Sequence, residues 1–174
     1  ENHCEDGGSS VDEIASEIVH AAEEIGDVLC IVNLTAQARS LCEAVSELAQ
    51  ISEQDIHVVH LSTKMCPAHR KAVLRTVREE LDARRKYPEQ RLICISTQLI
   101  EAGVDVSFPV VYRALAGFSS IAQAAGRCNR HGEMERGIVR LFSFANENIS
   151  RLVDIQQGKK IALDMLYHAE ADTV

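Results

Sequence analysis

Two arginines at the end of a short apolar segment have the type and spacing to act on a phosphate group. Arg127 and Arg130 lie three residues apart in SIAQAAGRCNR at 120–130, whose pattern predicts a helix. Residues three apart on a helix share a face, so both guanidinium groups would point the same way. Such a pair can bind the oxygens of one triphosphate, and an arginine that contacts a developing phosphoryl charge contributes roughly 10³ to 10⁵ in rate.

A second polar segment, ISTQLIEAGVD at 95–105, follows a predicted buried strand. It places Thr97 and Gln98 at the strand end, and Gly103 and Asp105 shortly after. Ligands of open α/β sheets collect beyond the carboxyl ends of the strands, so loops that directly follow strands are expected to line one rim. The loops expected there are 33–35, 62–64, 97–105 and 114–119.

Strand and helix patterns alternate along the chain with short connections, which predicts an α/β fold with a parallel, doubly wound sheet. Ser9 or Ser10 would begin the first helix, and Thr35 would cap the second. The predicted strands are 28–33, 56–61, 91–96, 109–115 and 137–144, and the predicted helices after the first are 35–48, 67–86, 120–130 and 149–168.

The sequence lacks both common phosphate-binding glycine motifs. Neither G-x-x-x-x-G-K-[ST] nor G-x-G-x-x-G occurs, so the chain has no motif of this kind to hold the β-phosphate of a nucleotide. If the protein handles ATP, this chain supplies half of the site.

The ordered pair STQLIEAGVD and AQAAGRCNRHG carries a resemblance to a known family. Residues 28–144, about two thirds of the chain, resemble the second RecA-like domain of superfamily 2 helicases. The amino-acid sequences of the two motifs are most similar to those of the CRISPR-associated helicase-nuclease of type I interference systems. The resemblance implies a three-layer RecA-like α/β domain, with a mainly parallel sheet and helices on both faces.

The resemblance also implies roles for the residues of both motifs. Arg127 and Arg130 correspond to the arginine finger and its companion, and Asp105 to the aspartate that contacts the nucleotide ribose. Glycine at 103 would let the backbone approach the ligand. The implied nucleotide-binding residues are Gly103, Asp105, Gln123 and Gly126, and the implied DNA-binding residues are Asn33, Thr35, Ser62, Lys64, Thr97 and Gln98.

Two positions depart from the pattern. Ala124 stands where many superfamily 2 members have an arginine, and Glu101 where RNA-handling relatives often have one. Structural readings stay open beside the functional ones: Thr97 and Asp105 as strand-end and turn caps, Ser62 to Lys64 as turn residues and a helix cap, and the arginines as surface partners of Glu133 or Glu135. No metal site is expected from His57, His60 and His69, because no carboxylate is suitably spaced.

The function implied by the resemblance is that of a closing motor lobe. The chain would supply arginines to ATP and Mg²⁺ held by a first RecA-like lobe, in a 3′ to 5′ translocase that feeds single-stranded DNA to an HD nuclease domain recruited by the RNA-guided surveillance complex. The isolated chain is expected to be inactive. The alternatives are a lobe of another superfamily 2 repair or remodelling ATPase, and a non-catalytic α/β docking module.

Composition adds expectations about compartment and organisation. The net charge is −8, yet 64–91 holds nine basic and four acidic residues, while Arg39 is the only Lys or Arg in 1–55. The chain has no apolar run long enough for a membrane span, and its six cysteines include no C-x-x-C pair, so a reduced, cytoplasmic protein is expected. The chain reads as a piece of a longer protein, with a flexible lead at 1–8, a motor lobe at 9–148 that is large enough to fold alone, and a trailing helical segment at 149–174 leading toward a missing domain.

Overall fold

Six parallel strands form one sheet in the computed structural model, which describes residues 2–3, 8–84, 89–101, 104–150 and 152–171. The strand order is β1-β6-β5-β2-β4-β3, and every neighbouring pair is parallel. The strands are β1 (Asn2–His3), β2 (Val28–Val32), β3 (Asp55–Leu61), β4 (Gln90–Thr97), β5 (Val110–Ala114) and β6 (Ile138–Phe142). The helices are α1 (Val11–Glu24), α2 (Thr35–Ile51), α3 (Pro67–Arg84), α4 (Phe118–Ala125) and α5 (Val153–Ala171).

The sheet separates two apolar cores, which makes the fold three-layered as predicted. Alternate residues of a strand point to opposite faces. Accordingly Cys30 packs with the buried residues of α1 and α2, whereas Leu29 and Ile31 pack with Val77 of α3 and Ala124 of α4. Because helices cover both faces, every residue of β2 and β5 is buried. The expected α/β class is confirmed.

Of the two helix-capping predictions, the one for α1 is confirmed and the one for α2 is wrong. Ser10 caps α1, since its Oγ accepts from Glu13 N at 3.2 Å while the Glu13 carboxylate accepts from Ser10 N at 2.7 Å. The prediction that Thr35 caps α2 is wrong. The first helical bond runs from Ala38 N to the carbonyl of Leu34, so Leu34 holds the cap position and Thr35 is already helical.

The predicted helix over 120–130 is also wrong at its carboxyl end, because α4 stops at Ala125. Phe108, just before β5, exchanges backbone hydrogen bonds with Arg127 O and Asn129 N, both at 2.9 Å. This bridge pulls the chain out of the helix, and Asn129 takes a φ of 45° to make the turn. Arg127 and Arg130 therefore do not share a helix face.

Both ends of the described chain contact the sheet domain. Asn2–His3, within the predicted flexible lead, pairs with β6 as a short strand. The last helix begins at Val153 rather than at residue 149, and Gly158 packs against Gly117 at the start of α4. None of the described helices combines the length and apolar character needed to cross a membrane.

Candidate functional site

The polar residues that end β2, β3 and β4 lie at one rim, as expected for parallel strands, but their side chains are buried. Ser62, Thr97 and Asn33 are 3%, 4% and 8% exposed. Ser62 Oγ accepts from Lys64 N at 3.2 Å and so shapes the turn after β3. Thr97 Oγ1 has no hydrogen-bond partner among the described residues.

Asn33 is engaged entirely within the protein. Its Nδ2 donates to Leu115 O at 3.0 Å and to Glu147 Oε1 at 2.9 Å, and its Oδ1 accepts from Arg113 Nη1 at 2.8 Å. The amide holds the strand end to the neighbouring strand and to the loop before α5. Asn33 was predicted to contact DNA, but its side chain instead stabilises the rim through hydrogen bonds inside the protein.

The exposed groups of the rim border two separate hollows. One, of about 570 Å³, lies where α2, β3 and the start of α3 meet, and Lys64, Thr35 and Arg39 line it. His60 also lines it, and burial lowers the pKa of this imidazole, which favours its neutral form. The other, of about 580 Å³, has Gln98 on one side and the starts of α4 and α5 on the other.

Arg127 is buried and holds the backbone of the loop after β4. The residue is 7% exposed. Its Nε donates to Ile100 O at 3.1 Å, its Nη2 to Glu101 O at 2.7 Å and its Nη1 to Gly126 O at 3.3 Å. With all three nitrogens engaged by carbonyls, Arg127 ties the two sequence motifs together.

Arg130 is the more exposed of the two arginines. Its Nε lies 3.0 Å from Asp105 Oδ1, and 41% of its side chain is accessible. Its backbone N donates to Ser107 Oγ at 2.9 Å, and its Nη1 to Gly126 O at 3.3 Å. The acidic partner is therefore Asp105, not Glu133 or Glu135 as the structural reading of the sequence suggested. The guanidinium is held in place while part of it faces solvent.

The structure describes two of the other three residues that were predicted to bind the nucleotide. Gln123 and Gly126 are exposed on α4 and just after it, close in sequence to Arg127. Gly103 lies outside the described residues.

Asp105 lies near the amino ends of the strands, whereas Thr97 lies at the carboxyl end of β4. This amino-terminal end of the sheet is called the nucleotide edge below. Asp105 borders a hollow of about 540 Å³ together with Asp27 and Pro109, which immediately precede β2 and β5. The prediction that 97–105 lines a single rim is thus wrong for its second half. Because β4 and β5 are parallel, the connecting segment must return from the carboxyl end of one strand to the amino end of the other.

The sequence analysis did not predict a buried ion pair between Arg113 and Glu101. Arg113 of β5 is completely buried, and its Nε lies 2.8 Å from Glu101 Oε1. Burial raises the pKa of Glu101, and the charges of Arg113 and Arg127 oppose that rise. The available signal was an arginine inside the apolar run PVVYRAL, but its acidic partner could not be chosen from several without the fold.

Two further positions bear on the sequence hypotheses. Ala124, for which the resemblance suggested an arginine, lies on the buried side of α4 and packs in the apolar core with its methyl group. His57 does have a carboxylate partner, since its Nδ1 lies 2.7 Å from Glu80 on α3, although none was found from spacing. Among the described residues, no three His, Cys, Asp or Glu side chains are grouped to hold a metal ion.

Comparisons with known proteins show the family to which this chain belongs. A family model described as "CRISPR-associated nuclease/helicase Cas3, C-terminal" matches residues 24–133. A "CRISPR-associated nuclease/helicase Cas3" of Haloferax volcanii is 34% identical over 130 residues, which are 74% of this chain and 13% of that protein. The chain therefore spans only a small part of its relative's length.

Solved structures share the fold. The crystal structure of T. fusca Cas3-ATP matches 85% of this chain and 18% of its own, with a TM-score of 0.66 and 20% identity. The DUF1998 helicase MrfA bound to DNA and AMPPNP matches 79% of this chain and 18% of its own, with a TM-score of 0.61 and 18% identity. These likenesses establish the RecA-like arrangement expected from the sequence.

Proposed function

We propose, from the premise that this chain belongs to the C-terminal family of the CRISPR-associated nuclease/helicase Cas3, that it is the second motor lobe of an ATP-dependent translocase on single-stranded DNA. Arg130 carries the proposal: its guanidinium is partly exposed, fixed by Asp105, and set in a loop that Arg127 anchors. In such a lobe Arg130 would contact the γ-phosphate, and Arg127 would hold the contacting loop in position.

ATP and Mg²⁺ fit this chain as half of a site. The exposed parts of Arg130 and Asp105 suit a phosphate and a ribose hydroxyl, and Gln123, Gly126 and Gly103 belong to the same two motifs. The sequence has no phosphate-binding glycine motif with its lysine. A first lobe would therefore hold the triphosphate and the metal, and closure of this lobe would add positive charge where the transition state becomes more negative.

The DNA would lie across the carboxyl rim. Lys64, Thr35 and Arg39 border one hollow there and Gln98 the other. Ser62 shapes the turn that carries Lys64, and Thr97 is buried directly before Gln98. The chain has four phenylalanines, three tyrosines and no tryptophan, so contact with the DNA backbone is favoured over base stacking. Binding should be indifferent to base sequence and weakened by salt.

Family membership supports the wider assignment. The parent would be a cytoplasmic helicase-nuclease that moves 3′ to 5′, passes the strand to an HD nuclease domain, and is recruited by the RNA-guided surveillance complex. Residues 9–148 would form the lobe, and 149–174 would lead toward a further domain. The family match favours this parent over another superfamily 2 motor and over a non-catalytic docking module.

Replacement of Lys64 by glutamate should weaken DNA binding by the intact parent. The exposed ammonium would be lost from the rim, so affinity for a labelled oligo(dT) should fall about tenfold at low salt, and the negative slope of log affinity against log salt should become less steep by about one. Fluorescence anisotropy across a salt series measures both. Arg136→Glu is the charge-matched control, because Arg136 is exposed just before β6, at the opposite edge. Equal effects of the two substitutions would remove the hollow beside Lys64 from the DNA path.

The isolated chain should hydrolyse ATP no faster than a buffer blank, with or without single-stranded DNA, because it lacks the phosphate-binding motif of a first lobe. A coupled assay on the purified chain, repeated with Arg130→Ala, tests this. Turnover that disappears with the arginine would show that one lobe suffices and would contradict the half-site assignment.

A further inference from the structure

A chain of buried polar contacts joins the loop that carries Arg130 to the carboxyl rim. Arg127 Nη2 donates to the backbone carbonyl of Glu101 at 2.7 Å, and the Glu101 carboxylate lies 2.8 Å from Arg113 Nε. Arg113 Nη1 then donates to Asn33 Oδ1 at 2.8 Å. The contacts therefore run from the loop of Arg127 and Arg130 to Asn33, which directly follows β2.

The same chain of contacts continues to α5. Asn33 Nδ2 donates to Glu147 Oε1 at 2.9 Å, and Lys159 Nζ of α5 donates to Glu147 Oε2 at 2.8 Å. The Glu147 side chain is 2% exposed and that of Lys159 is 18% exposed. Three regions are thus connected through Asn33: the arginine loop, the rim and the last helix.

Stability alone does not account for Arg113. Burial of two charges costs more free energy than their attraction commonly returns, and apolar replacements of buried ion pairs are often neutral or stabilising. Every residue of β5 is buried, and Val110, Val111 and Ala114 are aliphatic, so aliphatic side chains in place of both Arg113 and Glu101 would suit this core. Burial also lowers the pKa of Arg113, and its Nη2 has no hydrogen-bond partner among the described residues. The arrangement favours a defined geometry at a cost in stability.

We propose that Arg113 is a positioning residue that couples the nucleotide edge to the DNA rim. When Arg130 engages the phosphate, a shift of its loop would reach Glu101 through Arg127, and then Asn33 and the start of α2 through Arg113. By linkage, DNA at the rim would favour engagement of Arg130 to the same extent. This inference rests on the proposed function of the lobe and adds to it the route by which the two ligands act on one another.

Glu101→Gln in the intact parent tests the coupling. The substitution removes the charge facing Arg113 but keeps the side-chain size and the backbone carbonyl that Arg127 binds. Two ratios are measured: ATP hydrolysis with saturating oligo(dT) over hydrolysis without it, and the Kd for labelled oligo(dT) without a non-hydrolysable ATP analogue over that with it. Both ratios should fall about tenfold, which is within the range of allosteric coupling.

A second variant and a matched control separate coupling from general damage. Arg113→Lys keeps the charge but loses the planar fork that reaches Glu101 and Asn33 together, so it should lower both ratios as well. Arg140→Lys makes the same change on neighbouring β6, outside this chain of contacts, and should leave both ratios within about twofold of wild type. Circular dichroism and melting curves confirm that each protein is folded.

The possible outcomes distinguish failure of the coupling role from failure of the proposed motor function. If folded Glu101→Gln and Arg113→Lys proteins lose rate but keep wild-type ratios, the coupling role is overturned and the motor assignment remains. If wild-type parent shows neither stimulation by DNA nor tighter DNA binding with nucleotide, the proposed function itself fails, and the coupling fails with it.

Discussion

Arg130→Ala should lower single-strand-stimulated ATP hydrolysis by the intact parent roughly 10³-fold while the protein stays folded, the scale expected for a lost arginine finger. Much of the side chain is exposed, and its described contacts are Asp105 and the carbonyl of Gly126, so its removal costs little stability. The effect should lie mainly in kcat, because the positive charge acts where negative charge develops in the transition state. Steady-state kinetics at saturating oligo(dT) measure it.

Two further variants sharpen this test. Arg130→Lys keeps the charge but cannot reproduce the planar two-pronged contact, so it should recover only a small part of the rate. Arg136→Ala removes an exposed arginine from the same loop and should leave hydrolysis within about twofold of wild type. A normal rate in folded Arg130→Ala protein would take this residue out of the mechanism and favour a docking module.

Arg113→Leu should lower the free energy of unfolding of this chain by about 3–5 kcal/mol, because it leaves the Glu101 carboxylate buried without its partner. Urea unfolding followed by circular dichroism gives the value. With Arg113 gone, the pKa of Glu101, already raised by burial, should rise further. The folded variant then binds a proton that the unfolded chain does not, so its stability deficit should shrink as the pH is lowered from about 7 to about 5.

The double variant Arg113→Leu/Glu101→Leu should recover most of that loss, because both buried charges are removed together. Arg140→Leu is the matched control. Its guanidinium is half-buried on β6 and donates to the Tyr112 hydroxyl at 2.6 Å, so its loss should cost about 1 kcal/mol. If Arg113→Leu costs no more than this control, the two buried charges do not compensate each other.

The layered α/β architecture and the family resemblance could both be predicted from the amino-acid sequence. The runs VLCIV and LICI are apolar because both faces of a parallel strand are covered. Helical periodicity between such runs predicts the alternation of strands and helices. The pairing of STQLIEAGVD with AQAAGRCNRHG also pointed to the family that the comparisons support. These signals are local, so they need no knowledge of what packs against them.

The contacts of the polar side chains could be assigned only once the fold was known. Periodicity extended α4 through Arg130, but the backbone bridge from Phe108 ends the helix at Ala125 and gives Arg127 and Arg130 different environments. The partners Asp105 of Arg130 and Glu101 of Arg113 are 25 and 12 residues distant along the chain. Such pairings depend on which strands become neighbours, and spacing along a sequence cannot supply that when several acids are available to each arginine.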